Sequence, residues 1–309
     1  MITTVTLNAS IDKAYHMDTR LKNGTVMRVK SVRNSAGGKG LNVARVVCLC
    51  GAEIKATGLV GGYNGSYLED LLDKDGISHR FYHIAGETRS CINILEEEFG
   101  STEYLEPGCQ ITEEEETGFL AEFPEMIKDS SVVTMSGSVP QGMSGDIYCN
   151  MILLAKEAGK QVILDTSGEA LKQALSSCPT MVKPNREELE LLFQKKIRSR
   201  EELMEGAGKL ADRGIPYVVV SLGGEGALMV CEQGTFQGKP PKIEAVNTVG
   251  CGDSMVGAFA VALERGEEPQ EALKFAVAVA SANALSPNTG DFEPKIMKEL
   301  LEQVNVSRL

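Results

Sequence analysis

From residue 131 onward the chain alternates short apolar runs of β character with helical patterns, and this alternation limits the fold more than any other feature. Ser131–Met135 (SVVTM) reads as a buried strand, Tyr148–Ala158 as a helix ending at Gly159, and Gln161–Asp165 (QVILD) as a strand ending on a carboxylate. Met181–Lys183 is a short strand, Arg186–Phe193 a helix, Glu201–Arg213 a helix capped by Gly214, and Tyr217–Leu222 (YVVVSL) a strand. Apolar strands separated by helices predict an α/β fold with a mostly parallel sheet covered on both faces. Ligands in such folds bind beyond the carboxyl ends of the strands. Asp165, Lys183-Pro184-Asn185 and Ser221-Leu222-Gly223-Gly224 all fall there.

The N-terminal third reads differently. Asp12–Met17, Thr25–Val32 and Ser90–Glu96 are short, half-polar β patterns, separated in sequence by the helix-like Gly40–Leu49 and Tyr67–Lys74. They predict a small second sheet lying over the main one as a lid, with strands from about 12–17, 25–35 and 88–106. The acidic run Glu113–Glu116 follows Thr112, an N-cap residue type, and reads as the solvated first turn of a helix rather than a binding site. With 309 residues the chain exceeds the usual ~100–200 per domain. No repeat, low-complexity block or linker divides it, and α/β enzymes often run longer as one unit, so residues 1–309 are expected to form one domain.

A formal charge of −12 makes the surface acidic, which excludes nucleic acid as an expected partner. An anionic substrate must then be drawn in by a local basic site against the global field. No apolar run reaches the ~20 residues of a membrane helix, and Met1–Leu7 lacks the basic segment and cleavage site of a signal peptide. The eight cysteines are scattered and form no Cys-x-x-Cys pair, and there are three histidines, so the chain is expected to be cytoplasmic with reduced thiols and no structural zinc.

Four segments carry candidate chemistry. Asn247-Thr248-Val249-Gly250-Cys251-Gly252-Asp253-Ser254 places two glycines around one small residue ahead of the apolar run Met255–Leu263. Glycines let backbone N–H groups converge at a helix start, where the dipole adds to an anion hole. An Asp in that first turn can accept a hydroxyl proton while the amides hold phosphate charge, which is most of what phosphoryl transfer requires. The same octapeptide also reads as a Gly-rich turn with an ordinary first-turn Asp. Ala36-Gly37-Gly38-Lys39-Gly40-Leu41-Asn42-Val43-Ala44 lacks the P-loop spacing, and Val43 stands where a dinucleotide turn needs its third glycine. Lys39 and Asn42 supply a cation and an amide for sugar hydroxyls or phosphate, or the segment is simply a loop starting a helix. Ser221-Leu222-Gly223-Gly224-Glu225-Gly226-Ala227 is either a turn against a nucleotide or a plain hairpin. Asn185 and Glu188 stand three apart across a helix start, a spacing that suits water-mediated magnesium near ATP phosphates and equally suits a capping box.

Taken together and in order, these segments resemble the ribokinase-like, phosphofructokinase B family of sugar kinases, over essentially the whole chain. The two signatures are Gly-Gly-Lys-Gly-Leu-Asn-Val-Ala (37–44) and Thr-Val-Gly-Cys-Gly-Asp-Ser (248–254). Asn247 replaces the Asp common in the family, and Cys251 stands where Ala is usual. Thr6-Leu7-Asn8-Ala9-Ser10-Ile11-Asp12, with Ala9 in place of a common Pro, and Leu164–Leu171 are similar to the branch of tagatose-6-phosphate kinases and 1-phosphofructokinases. Gly86–Ile92 and Leu105–Gly108 lie closer to the former.

The resemblance implies a Rossmann-like three-layer core with a β-sheet lid that often forms a dimer interface, and ATP-dependent phosphorylation of a ketohexose phosphate with Mg2+. It implies Asp253 as catalytic base and Gly250, Cys251 and Gly252 as anion-hole amides. Asp12, Gly38 and Asn42 would bind the sugar, and Arg28, Lys39, Arg89 and Ser138 its existing phosphate. Asn185 and Glu188 would organise magnesium, and Lys183, Asn185, Ser221, Gly223, Gly226 and Asn283 would line the nucleotide site. Cys251, at a helix N-terminus, is in a setting that lowers thiol pKa.

Three other readings compete. A dinucleotide-dependent oxidoreductase needs a Gly-x-Gly-x-x-Gly turn after the first strand, which Leu7–Asp12 lacks. A non-catalytic sugar-phosphate sensor would not need Asp253. A kinase of nucleosides or unphosphorylated sugars would not need Arg28, Lys39 and Arg89 together.

Overall fold

The computed structural model describes residues 1–96 and 100–309. The first part of the chain forms β1 (Ile2–Thr6), β2 (Ser10–Met17), β3 (Ser31–Gly37), α1 (Lys39–Leu49), β4 (Ile54–Gly61), α2 (Gly62–Lys74), β5 (Ser78–His79), β6 (Tyr82–Ile84), β7 (Arg89–Glu96) and β8 (Gly100–Leu105). Then follow α3 (Glu113–Met126), β9 (Val132–Ser136), α4 (Ile147–Glu157), β10 (Gln161–Asp165), α5 (Gly168–Ala174), β11 (Met181–Val182), α6 (Arg186–Phe193) and α7 (Arg200–Ala211). The chain closes with β12 (Tyr217–Ser221), β13 (Ala227–Cys231), β14 (Gly234–Lys239), α8 (Cys251–Arg265), α9 (Pro269–Ala284), α10 (Pro294–Gln303) and β15 (Asn305–Arg308).

The main sheet runs β15-β14-β13-β12-β11-β10-β9-β1-β4-β5, with β6 also on β4. Pairing is parallel from β12 through to β4 and its partners β5 and β6, and antiparallel across β12, β13, β14 and β15. Every residue of β1 and β9 is buried because both sheet faces are covered. Period-2 alternation sends neighbours to opposite sides: Val132 joins one core with Val46, Val256 and Phe259, and Val133 joins the other with Phe119, Tyr148 and Leu203. Helices α1, α8 and α9 thus cover one face and α3, α4 and α7 the other, the three layers the alternation predicts.

The second sheet has order β3-β2-β7-β8, with β2 and β7 parallel and the outer pairs antiparallel. The strand expected over 25–35 starts later, at Ser31, where it meets His16 of β2. Residues 25–30 precede the pairing, and Val26 there is 96% exposed, so their alternation buries no face. The expected stretch 88–106 is two strands, β7 and β8, and its residues 97–99 lie outside the described residues. Thr112 and Glu115 form a full capping box at the start of α3, as the acidic run suggested. Helix α7 ends at Ala211 with Asp212 as its cap, so Gly214 lies beyond the helix rather than capping it.

Candidate active site

Helix α8 opens where the sequence placed the glycine turn. Gly250 is its N-cap, in the left-handed region at φ 79°. A Cβ there would lie 2.6 Å from the Thr289 methyl carbon, so both the dihedral and the space require glycine. At a helix start the first N–H groups lack intrahelical partners; the Cys251 N–H makes only a long 3.4 Å bond to the Thr248 carbonyl. Asp253, in that first turn, is 6% exposed, and its Oδ2 accepts a 2.7 Å hydrogen bond from the Asn42 amide of α1. Burial first, and then the negative charge of Asp165, push its carboxyl up to about 6, against the opposing pull of Lys39, Asn42 and Lys183.

Asp165 closes β10 and is 2% exposed. Its Oδ1 lies 3.2 Å from Lys183 Nζ and its Oδ2 3.5 Å from Lys39 Nζ. Burial alone would push this carboxyl up, but the two ammonium groups together hold it below the ordinary range. Asp165 in turn keeps the Lys39 ammonium above its ordinary value. Lys183 is buried against the glycine turn, since a Cβ on Gly252 would lie 3.3 Å from its Nζ. Lys183 therefore sits between Asp165 and the start of α8.

On the side of the small sheet, Asp12 of β2 lies against Gly37, where a Cβ would fall 2.0 Å from its Oδ1. Ser10 Oγ donates to the same oxygen at 2.6 Å. Burial raises the Asp12 carboxyl, opposed by that bond and by the charges of Arg45 and Arg89. Gly38, the N-cap of α1, packs against Thr6. Arg89 opens β7 and donates to the carbonyls of Asn8 (3.0 and 3.2 Å) and Glu106 (2.8 Å). Asn8 donates to Ser138 Oγ at 3.1 Å, so Arg89, Asn8 and Ser138 form one group. Arg28 stands apart, exposed in the segment before β3.

On the opposite side, Asn185 and Glu188 form the capping box of α6: Asn185 Oδ1 accepts from the Glu188 N–H, and Glu188 Oε2 accepts from the Asn185 N–H, both at 2.8 Å. Asn185 bridges in parallel to Ser221 at the end of β12. The segment after Ser221 is a hairpin between β12 and β13, with Gly223 on its exposed turn and Gly226 packed on the Gly238 carbonyl. Asn283 is fully buried, with its amide on the Val249 carbonyl, the Cys251 sulfur and the Gly290 N–H. It holds the glycine turn from beneath rather than presenting a free group. Asn247 accepts from the Val249 N–H and so shapes the same turn. Burial pushes the Cys251 thiol up, which overrides the lowering expected from its place at a helix start.

The structure thus gathers Asp253, Asn42, Lys39, Lys183 and the glycine turn around Asp165, with Asp12 and Arg89 on the small-sheet side and Asn185 beyond Lys183. Sequence reasoning placed Asp165 at the ligand end of the sheet without giving it a role, and left Asn8 and Arg45 out of the site. The carboxylate ending an apolar strand was the available signal for Asp165; no local spacing marks Arg45.

Comparisons with known proteins bear on the family and the fold. A family model described as pfkB family carbohydrate kinase matches residues 5–296. The chain is 38% identical to the tagatose-6-phosphate kinase of Staphylococcus epidermidis over 309 residues, 99% of each chain. Among solved structures, phosphofructokinase-2 from Escherichia coli in complex with potassium superposes with a TM-score of 0.92 at 30% identity, covering 98% of both chains. A Thermotoga maritima protein described as a possible 1-phosphofructokinase gives 0.89 at 26% identity, covering 100% of this chain and 99% of that one. This chain belongs to the pfkB family of carbohydrate kinases.

Proposed function

We propose that the chain transfers the γ-phosphoryl group of ATP to the C1 hydroxyl of tagatose 6-phosphate, giving tagatose 1,6-bisphosphate and ADP. The observation that carries this reading is the buried Asp253, poised near pH 6 at the open end of α8, in a chain similar to tagatose-6-phosphate kinase along its whole length. Mostly ionised at neutral pH, Asp253 takes the hydroxyl proton as the oxygen attacks phosphorus and the bond to the β–γ bridging oxygen breaks. The amides of Gly250, Cys251 and Gly252 hold the charge of the phosphoryl oxygens. Lys39, half exposed while paired to Asp165, reaches toward the same charge.

Asp12, Gly38 and Asn42 bind or border the sugar, and Arg89 with Ser138, joined through Asn8, takes its 6-phosphate, with Arg28, exposed before β3, reaching it when the lid shuts. The hairpin glycines Gly223 and Gly226, with Ser221, Lys183 and Asn185, border the nucleotide, and Asn283 supports them. Glu188 commits one carboxylate oxygen to its cap and can receive a water on the other, a donor set that fits magnesium held mainly by nucleotide phosphates and water. When bound, that ion neutralises phosphate charge.

Residues 1–309 act as one kinase unit with the small sheet as lid. Val32, Tyr104 and Leu105 on its outer strands are more than half or about half exposed, which supports a homodimer joined through the lids. The eight free cysteines support a cytoplasmic setting, and among the described residues no helix is long and apolar enough to cross a membrane. The likeness to the Thermotoga protein favours a second reading, fructose 1-phosphate as acceptor. Steady-state kinetics with tagatose 6-phosphate, fructose 1-phosphate and fructose 6-phosphate decide between them: tagatose 6-phosphate is expected to give the highest kcat/KM, and a tenfold preference for fructose 1-phosphate overturns the first reading.

A further inference from the structure

Arg45 lies on α1 one turn beyond Asn42, on the same helix face. Its Nη2 donates to Asn42 Oδ1 at 2.5 Å, and its Nη1 donates to the carbonyl of Ala36, near the end of lid strand β3, at 2.6 Å. A guanidinium only donates. Asn42 must therefore turn its carbonyl oxygen to Arg45, which leaves its NH2 for Asp253 Oδ2, the 2.7 Å bond described above. An amide free to rotate would set either its oxygen or its nitrogen against the carboxylate, and the oxygen would repel it.

We infer that Arg45 is a positioning residue for the catalytic base: through Asn42 it fixes which oxygen of Asp253 is engaged and which is left for the sugar hydroxyl, and it ties that arrangement to the lid. The inference rests on the reading of Asp253 as base. Burial is the largest influence on Arg45 and disfavours its charge, as Arg33 does, while the lid carboxylate Asp12, then Asp75 and the base Asp253 favour it. Around Asp253 the leading charged groups are Asp165 at the end of β10, Lys39 on α1 and Lys183 after β11; Arg45 adds a weaker attraction to Asp253. Its removal takes away both a positive charge and the constraint on Asn42, and each change favours the protonated, unreactive form of the base.

The test is a double-mutant cycle on kcat and its pH profile, with Arg45→Met, Asn42→Leu and the pair. Arg45→Met is expected to lower kcat about 10–100-fold, within the range for impaired general-base catalysis. Its acid limb should move to higher pH by roughly one unit, while the KM for ATP stays within about twofold. In the Asn42→Leu background the further loss should be under about threefold, because the relay is already cut. Arg45→Lys keeps the charge but cannot donate as a fork to both acceptors, so it should recover part of kcat. Unchanged kcat and acid limb in a folded Arg45→Met protein, or losses that simply add in the double variant, overturn the inference. Should Arg45→Met fail to fold, the Arg45→Lys and Asn42→Leu pair gives the same cycle. Asp253→Asn separates the two claims: if it is inactive while the Arg45 cycle is additive, the relay fails and the base reading stands, and if it turns over normally, the base reading itself fails.

Discussion

Asp165 and Asp253 are buried carboxylates at the same end of the sheet, yet they sit on opposite sides of the ordinary carboxylate range. Burial is the largest influence on both. Asp165 overcomes it with two ammonium groups at 3.2 and 3.5 Å. Asp253 has a neutral amide as its hydrogen-bond partner and feels Asp165 as a like charge. One group stays charged and orders the cations, and the other stays basic enough to accept a proton. Environments that push two carboxylates apart are how acid–base roles are divided at neutral pH.

Asp253→Asn is expected to lower kcat by ~10²–10⁴-fold, the usual cost of losing a general base, with ATP affinity little changed. Its effect on stability has a definite sign. The folded value of about 6 lies above the ordinary 3.8, so the unfolded chain ionises first, and Asp253 loses the native state stability as pH rises through that interval. The variant should therefore melt higher than the parent at pH 8, and this advantage should shrink toward pH 4. Differential scanning calorimetry at the two pH values measures it; an equal or lower melting temperature at pH 8 contradicts the burial argument.

The same value predicts the shape of the pH–rate curve. With Asp253 as base, kcat should fall on the acid side with a midpoint near pH 6, where the carboxyl becomes half protonated. A midpoint near 4, the value for a solvated carboxyl, would show that Asp253 is not buried in the reacting complex.

Asp165→Asn should be the most destabilising single change at the site. It leaves Lys183, 6% exposed, without its carboxylate, and breaking one side of a buried ion pair costs about 3–5 kcal/mol. Because the folded Asp165 value lies below the ordinary one, its stabilisation is present at neutral pH and lost as pH falls through the folded value. Urea unfolding at pH 7 should show the large difference. A loss under about 1 kcal/mol would mean that the lysines find other partners.

Arg89→Ala is expected to raise the KM for the sugar phosphate tenfold or more, since a charge-assisted bond contributes about 1.5–3 kcal/mol, and to leave the KM for ATP nearly unchanged. The bonds of Arg89 to the Asn8 and Glu106 carbonyls add a smaller structural loss. Equal effects on both substrates would assign Arg89 to holding the lid instead.

The parallel core was legible because apolar strands buried on both faces leave a plain pattern, and α6 begins and ends at the expected residues, Arg186 and Phe193. Strand β3 was misplaced because residues 25–30 alternate like a strand while the ladder with β2 begins only where Ser31 meets His16. The glycine turn and Asp253 were legible as local spacing. The position of Asp165 at a strand end was legible but its role was not, and Arg45 was not legible at all, because these roles come from contacts far along the chain: Asp165 meets lysines from two other segments, and Arg45 hydrogen-bonds toward Asp253 only through Asn42.

The pairing of β2 with β7 sets an order on how the molecule assembles. These strands run side by side from Ser10 with Arg89 to Met17 with Glu96, and the chain between them holds β3, α1, β4, α2, β5 and β6. An antiparallel hairpin can zip from its turn, but this parallel pair has no short connection, so its closure is entropically expensive until the intervening βα units have packed. Strand β3 can join β2 early, while β7 and β8 must wait for α2 and β6. On a ribosome, β2 leaves the tunnel long before its neighbour β7 exists and carries an unpaired edge through that interval, which exposes this segment of a slow-growing chain to pairing with the wrong strand.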